Sequence, residues 1–305
     1  MSSPLPPQVQ VFVRDWLSAN NVLLKSRDGH VLIDTGYVRH APLTLALLAS
    51  TRGLDREPLA RIVNTHCHAD HIGGNASVQR TYGCPIALPE GEVEIVRNWD
   101  TTKLLLDYAD QSADRFAVDE VLYPGTVHVW GDLAWQALAA PGHDMGALVF
   151  YNAEHRILIS GDALWENGYG FVMPAAMEPV ALPAARATLE MIAGLPIRTV
   201  IPGHGDVFGD VGAALDRAFA RTAAFEGNDA RMARTALKGL LTFCLLDRRQ
   251  MPLADLPDYV ARVGIFRDIN AACLQLTPVE LAALLVTELE RVGAVTCADG
   301  WLRPA

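Results

Sequence analysis

Three imidazoles and a carboxylate crowd into six consecutive positions of this chain, in the run Thr65-His66-Cys67-His68-Ala69-Asp70-His71. Three more segments each add one ligand-type side chain: Pro141-Gly142-His143, Ser160-Gly161-Asp162 and Pro202-Gly203-His204-Gly205. Each of them lies where an apolar run ends. Five imidazoles and two carboxylates are the donors that two borderline divalent ions would take. The chain is therefore expected to bring four strand ends to one edge of its fold.

Side chains two apart at the end of a strand point the same way. His66 and His68 can thus grip one ion together, and as the chain turns Asp70 and His71 can reach a second. Two ions about 3.5–4 Å apart repel unless anions lie between them. Asp162 is the expected bridging carboxylate, a hydroxide the second bridge, and His143 and His204 complete the two sets. Such a centre stays slightly cationic and favours an anionic transition state. It lowers the pKa of bound water from 15.7 toward about 7, so no serine or cysteine nucleophile is required. Asp70 and Asp162 are the expected catalytic carboxylates, Asp70 also holding the proton of the hydroxide. Zn2+ is the expected metal, and ligand type equally permits Fe or Mn.

Apolar runs ending in turn residues predict strands at 8–12, 21–25, 31–33, 61–64, 85–88, 133–140, 147–151, 156–159 and 199–201. Helices are predicted at 42–50, 75–81, 90–98, 183–193 and 211–224. The Asp28-Gly29 pair predicts a hairpin turn. Residues 99–124 fit no clear period and read as a helical insertion over a pocket. Strands first, then strands alternating with helices, suit an α/β (α+β) domain spanning residues 1–224. The Glu226-Gly227-Asn228-Asp229 segment marks a boundary, and residues 225–305 form a second unit. Helices are predicted there at 230–246, 253–263 and 278–292, followed by a hairpin through Asp299-Gly300. The last helix starts with Thr277 as N-cap, Pro278 and Glu280, a capping-box pattern. Its apolar stripe is Leu281, Leu284, Leu285, Leu289 and Val292.

The net charge is −10 over 305 residues, and no basic block stands out. A long polyanion is therefore disfavoured as the main partner. No apolar stretch reaches the roughly 18 residues of a membrane span. Residues 1–7 lack the charged and apolar regions of a signal peptide. The five cysteines are scattered, with no CxxC, so a reducing cytoplasm is the default. Cys67 reads as a small buried side chain, and His30, His40, His128 and His155 as ordinary histidines.

His66, His68, Asp70 and His71, then His143, Asp162 and His204, resemble in order and spacing the metallo-β-lactamase fold superfamily. The branch they resemble is the binuclear hydrolases that include glyoxalase II. The resemblance covers roughly residues 10–224. It implies an αββα sandwich, with His66, His68 and His143 at metal site 1, Asp70, His71 and His204 at metal site 2, and Asp162 bridging. Asp34, in the Asp34-Thr35-Gly36 segment, matches a position that braces the metal loops. Residues 225–305 resemble, in element order, a winged-helix-like tail found in lactamase-like endoribonucleases. Asp144 is read as an acceptor that orients the His143 ring from behind, or as a turn cap. Trp165, Asn167 and Tyr169, on the loop after Asp162, are candidate substrate contacts.

The first functional expectation is a metal-dependent hydrolase of a small-molecule thioester, ester or lactone. A nuclease or phosphodiesterase acting on RNA is the alternative, and a non-catalytic interaction protein the third. A homodimer built through the tail is also allowed.

Overall fold

The computed structural model describes residues 5–305; the part of the signal-peptide reading that rests on residues 1–4 lies outside them. Two sheets stack face to face. The first has six strands in the order β1 (Val9–Phe12), β2 (Asn21–Leu24), β3 (His30–Ile33), β4 (Leu59–Val63), β5 (Ile86–Pro89) and β6 (Glu120–Leu122). Its first three strands run antiparallel and the rest pair in parallel. The parallel pairs need crossovers. These are α1 (Ala41–Ala49), then the one-turn α2 (Ala69–Ile72) with α3 (Asn75–Tyr82), then α4 (Glu90–Asn98) with α5 (Leu106–Ala109).

The second sheet holds β7 (Val127–Trp130), β8 (Leu133–Ala139), β9 (Leu148–Asn152), β10 (Ile157–Gly161) and β11 (Thr199–Pro202), in reverse spatial order. Helices α6 (Ala181–Ala193) and α7 (Val211–Phe225) cover its outer face. Three apolar cores follow from this layering. Val22, Val31, Ile33 and Val63 meet Trp135, Phe150, Ile159 and Ile201 between the sheets. Leu32 and Ile62 face Leu48, Ile72 and Val78 on one side, and Leu158 and Val200 face Leu189 and Ala218 on the other. The αββα sandwich expected from the resemblance is what the chain adopts.

A fourth core gathers α8 (Asp229–Arg248), α9 (Leu256–Arg262), α10 (Gly264–Cys273) and α11 (Pro278–Arg291) with the small sheet of β12 (Met251–Pro252), β13 (Val295–Ala298) and β14 (Trp301–Pro304). It is not sealed from the rest. Leu105, Tyr108, Phe171 and Met173 reach into it, and Phe243 and Leu246 of α8 reach back into the α1/α3/α4 core. Thr277 caps α11 with both halves of a capping box formed. No single helix among the described residues is long and apolar enough to cross a membrane.

Three expectations need correction. Residues 99–124 are not a helical insertion. They hold only the four-residue α5, bracketed by Leu105 and Asp110 in left-handed conformation, before β6 begins. Leu104, Leu106 and Phe116 are instead individual plugs in the α1/α3/α4 core, and irregular chain can deliver such plugs without helical period. Val292 lies past the last turn of α11 and is 63% exposed, so the stripe ends at Leu289. α2, β6, β7, β12 and α10 are additions to the predicted elements. Both outward residues of β7, Val127 and Val129, are apolar and exposed, so the strand carries no alternation of polar and apolar faces. α10 follows α9 after Val263 alone.

Candidate metal centre

The loop after β4 supplies four of the seven ligand-type residues. The chain bends at Thr65, is still extended at His68, which is the N-cap of α2 with ψ 154°, and then turns into that single helical turn. The change of direction separates the roles. His66 and His68 come from extended chain, while Asp70 and His71 come from the helix. His143 follows β8, Asp162 follows β10 and His204 follows β11.

Two groups form. His66, His68 and His143 make one, and Asp70, His71, Asp162 and His204 the other, with the ligand atoms of each group within 4.8 Å of one another. In the first, the three rings stand edge to face in every pair, and His68 Nδ1 lies 2.8 Å from His143 Nε2. Asp162 touches both groups. Its Oδ2 is 3.5 Å from His143 Nε2, and its Oδ1 is 3.4 Å from His71 Nε2 and 3.8 Å from His204 Nε2. Asp70 Oδ2 is 3.0 Å from His204 Nε2.

The Nε2 atoms of His66 and His71 are buried without a hydrogen-bond partner among the described residues, and such orphans are costly unless something accepts their lone pairs. Burial, reinforced by the neighbouring imidazoles, holds His66 well below its ordinary value and pulls His68 down to about 4. Both rings are thus neutral, as metal ligation requires. His71 behaves oppositely. Burial pulls it down, but Asp34, Asp162 and Asp70 together outweigh this and raise it well above the usual range. That pocket calls for positive charge. The donor set therefore fits a pair of divalent ions.

Asp34 braces the ligand loop. It sits at φ 57°, and its Oδ1 accepts from the Thr65 amide at 2.9 Å while its Oδ2 lies 2.8 Å from Thr65 Oγ1 and 2.7 Å from His71 Nδ1. That last contact leaves Nε2 of His71 aimed at Asp162, the orientation that a carboxylate behind a ligating ring imposes. Gly203 allows the backbone to pass Asp162, since a Cβ there would stand 2.3 Å from Asp162 Oδ1. Asn20 ties the loop after β11 in place by donating to the carbonyls of Pro202 and Gly205.

Asp144 does not orient His143. His143 Nδ1 donates instead to the Phe171 carbonyl at 2.6 Å. Asp144 accepts from the Gly146 amide at 2.7 Å, and its Oδ2 lies 3.8 Å from His68 Nε2. A side chain adjacent in sequence to a ligand points away from it when the chain is turning, so the turn-cap reading describes Asp144. Cys67 is buried outside both ligand groups.

Five of the seven ligand-type residues, His68, Asp70, His143, Asp162 and His204, form the floor of a cavity of about 360 Å³. Trp16 stacks on the His204 ring at 5.5 Å and meets Trp165 edge-on, and Trp165 Nε1 donates to Asp162 Oδ1 at 3.2 Å. Tyr169 lines the cavity but its hydroxyl is spent on Thr222. Asn167 is exposed and does not line the cavity. Arg221 is the lining cation, donating to the Tyr169 carbonyl at 2.6 Å. The far wall is apolar: Leu105, Phe171, Leu240, Phe243 and Leu246. Trp16, Phe171, Arg221 and the α8 residues escape sequence reasoning because none carries a local motif.

The family description "Metallo-beta-lactamase superfamily" matches residues 14–204, more than half of the chain. An acyl-coenzyme A thioesterase from Gallus gallus is 26% identical over 63% of this chain and 74% of its own length. A hydroxyacylglutathione hydrolase from Bdellovibrio bacteriovorus is 26% identical over 47% of each chain, so only about half of that relative is matched. A crystal structure of a metallo-beta-lactamase family protein from Thermus thermophilus superposes with TM-score 0.59 at 21% identity, over 99% of this chain and all of that one. That likeness concerns the fold, and it runs through the C-terminal helices.

Proposed function

The chain belongs to the metallo-beta-lactamase superfamily and is a metallo-hydrolase, and we propose that its substrate is a small-molecule thioester, ahead of an ester or lactone. One observation carries the reading: the ligand floor opens into a cavity whose far wall is apolar and whose lining, among the described residues, has a single guanidinium. A polynucleotide would need a basic groove along its backbone. An acyl group needs an apolar wall beside the reacting carbon. The two hydrolase relatives, one named for acyl-coenzyme A and the other for hydroxyacylglutathione, agree with this choice.

His66, His68 and His143 would hold one ion, Asp70, His71 and His204 the other, with Asp162 shared. Zn2+ is the proposed pair. When bound, the ions supply Lewis-acid polarisation and a water of lowered pKa. The protein residues do the rest. Asp70 takes a proton from the attacking water as the water oxygen bonds to the acyl carbon; the carbon–sulfur bond breaks, that proton passes to the departing sulfur, and the acid formed ionises to solvent. The products are a carboxylate and a thiol. Trp16 and Trp165 wall one flank of the floor.

The test is turnover of acyl thioesters by protein loaded with Zn2+ or Mn2+, before and after chelation. Turnover should vanish with chelator and return with metal. Full metal loading without turnover on a broad panel of thioesters, esters and lactones would overturn the proposal.

A further inference from the structure

Gly239 sits in the middle of the twenty-residue α8, where glycine is the poorest helix former after proline. Nothing in the packing requires it. A Cβ built at Gly239 meets no atom within 4 Å, and the residue is exposed. Its φ is not in the left-handed region either. Thr235, Gly239, Thr242, Phe243 and Leu246 share one face by their spacing, and all five line the cavity above the ligands. Thr235 has its hydroxyl satisfied by the Arg231 carbonyl, and the rest of that face is Gly239, Phe243, Leu246 and the single hydroxyl of Thr242. The stripe from Thr235 to Leu246 runs about 16 Å along the helix axis, enough for a medium-length acyl chain laid out straight.

We propose that this face of α8 is an acyl-binding channel for straight-chain acyl groups, and that Gly239 sets the chain length by leaving out a side chain at its centre. The inference rests on the thioester reading above and names the substrate class of that site. Glycine keeps open the space that any other residue would fill, at a cost in helix stability. Phe243, whose ring packs edge-on against Tyr37 at 5.3 Å, forms the neighbouring wall.

Full-length Gly239→Ala, Gly239→Leu and Phe243→Ala are compared with the parent protein in two assays. The first is thermal shift, on metal-free and Zn2+-loaded protein, with straight-chain carboxylates from acetate to dodecanoate below their aggregation concentrations. The second is kcat/KM on acyl thioesters of the same chain lengths. Stabilisation of the parent should grow with chain length. Gly239→Leu, which puts a good helix former in place of a poor one, should abolish stabilisation by the longer carboxylates. It should also lower the long-to-short ratio of kcat/KM at least tenfold. Phe243→Ala should shift the ratio toward longer chains. Gly239→Ala should raise the melting temperature by roughly 2 °C, showing that the site tolerates a side chain structurally. A chain-length profile unchanged by Gly239→Leu in both assays would overturn the channel. If the parent turns over no thioester yet binds carboxylates with a Gly239-dependent length profile, the thioester reading fails and the channel stands.

Discussion

The two ends of the cavity are built by opposite means. The floor is polar, dense with ligand atoms, and assembled from the ends of β4, β8, β10 and β11. The far wall is apolar and comes largely from one face of α8, a helix that begins after the sandwich is complete. At the floor each side chain is held by named partners, such as Asp34 on His71 and the Phe171 carbonyl on His143. At the wall, position comes from packing alone. On the thioester proposal, reaction type belongs to the sandwich and substrate selection to the helices laid over it. Changes at the floor should abolish chemistry, while changes at the wall should redistribute it.

The sharpest break in this contrast is Asp162→Ala. It removes the carboxylate that touches both ligand groups. Losing several kcal/mol of charge stabilisation at about 1.4 kcal/mol per decade should lower kcat/KM by on the order of a thousandfold. Elemental analysis should show depleted metal. Retained activity with full metal content would mean that the floor is not the reacting centre.

Asp34→Asn should cost roughly ten- to a hundredfold in metal affinity or turnover. The amide cannot accept from both the Thr65 amide and hydroxyl while also holding His71 Nδ1. Metal titration against a chelator measures it, and an unchanged affinity would show that the loop needs no brace.

Acid should act on the metal-free floor before the wall. His68 is held at about 4, and His66 lies well below its ordinary 6.5. Between pH 6.5 and about 4 the unfolded chain binds more protons at these rings than the folded one, so stability must fall as pH falls. His71 has the opposite shift. Its contribution is fully present below 6.5 and is lost only as pH rises through its raised value. Melting temperature of the metal-free protein should drop across that acid window, and His68→Gln should flatten the slope.

The smallest effect belongs to the tail. Thr277→Ala removes the N-cap of α11 and half of its capping box, worth about 1 kcal/mol. The melting temperature should fall slightly while thioester kcat/KM stays constant. A change in turnover would mean that α11 communicates with the cavity.

Much of the sandwich could be read from local patterns, because strands buried between layers need continuous apolar runs and tight turns need Asp-Gly or Gly. Val22, Leu32, Ile62 and Ile159 all sit where those runs placed them. The seven ligand-type residues were legible for a related reason: few other sequences need so many imidazoles at strand ends. What failed was context. Asp144 could not be told from a ligand-orienting carboxylate, since the turn that points it toward Gly146 is a matter of backbone path. β7 failed because its outward valines are exposed at a sheet edge, and α10 because no breaker longer than Val263 precedes it.

Side-chain chemistry alone determined the donor set, the element order that carries it, and the capping of α11, since each depends on residues a few positions apart. Only the tertiary structure decided that His143 hangs from the Phe171 carbonyl, that Trp16 stacks on His204, and that Gly239 lines the same cavity as His143 and His204. Those partners are separated by 28 residues or far more along the chain, and closing such distances depends on how whole layers pack, which no local pattern encodes.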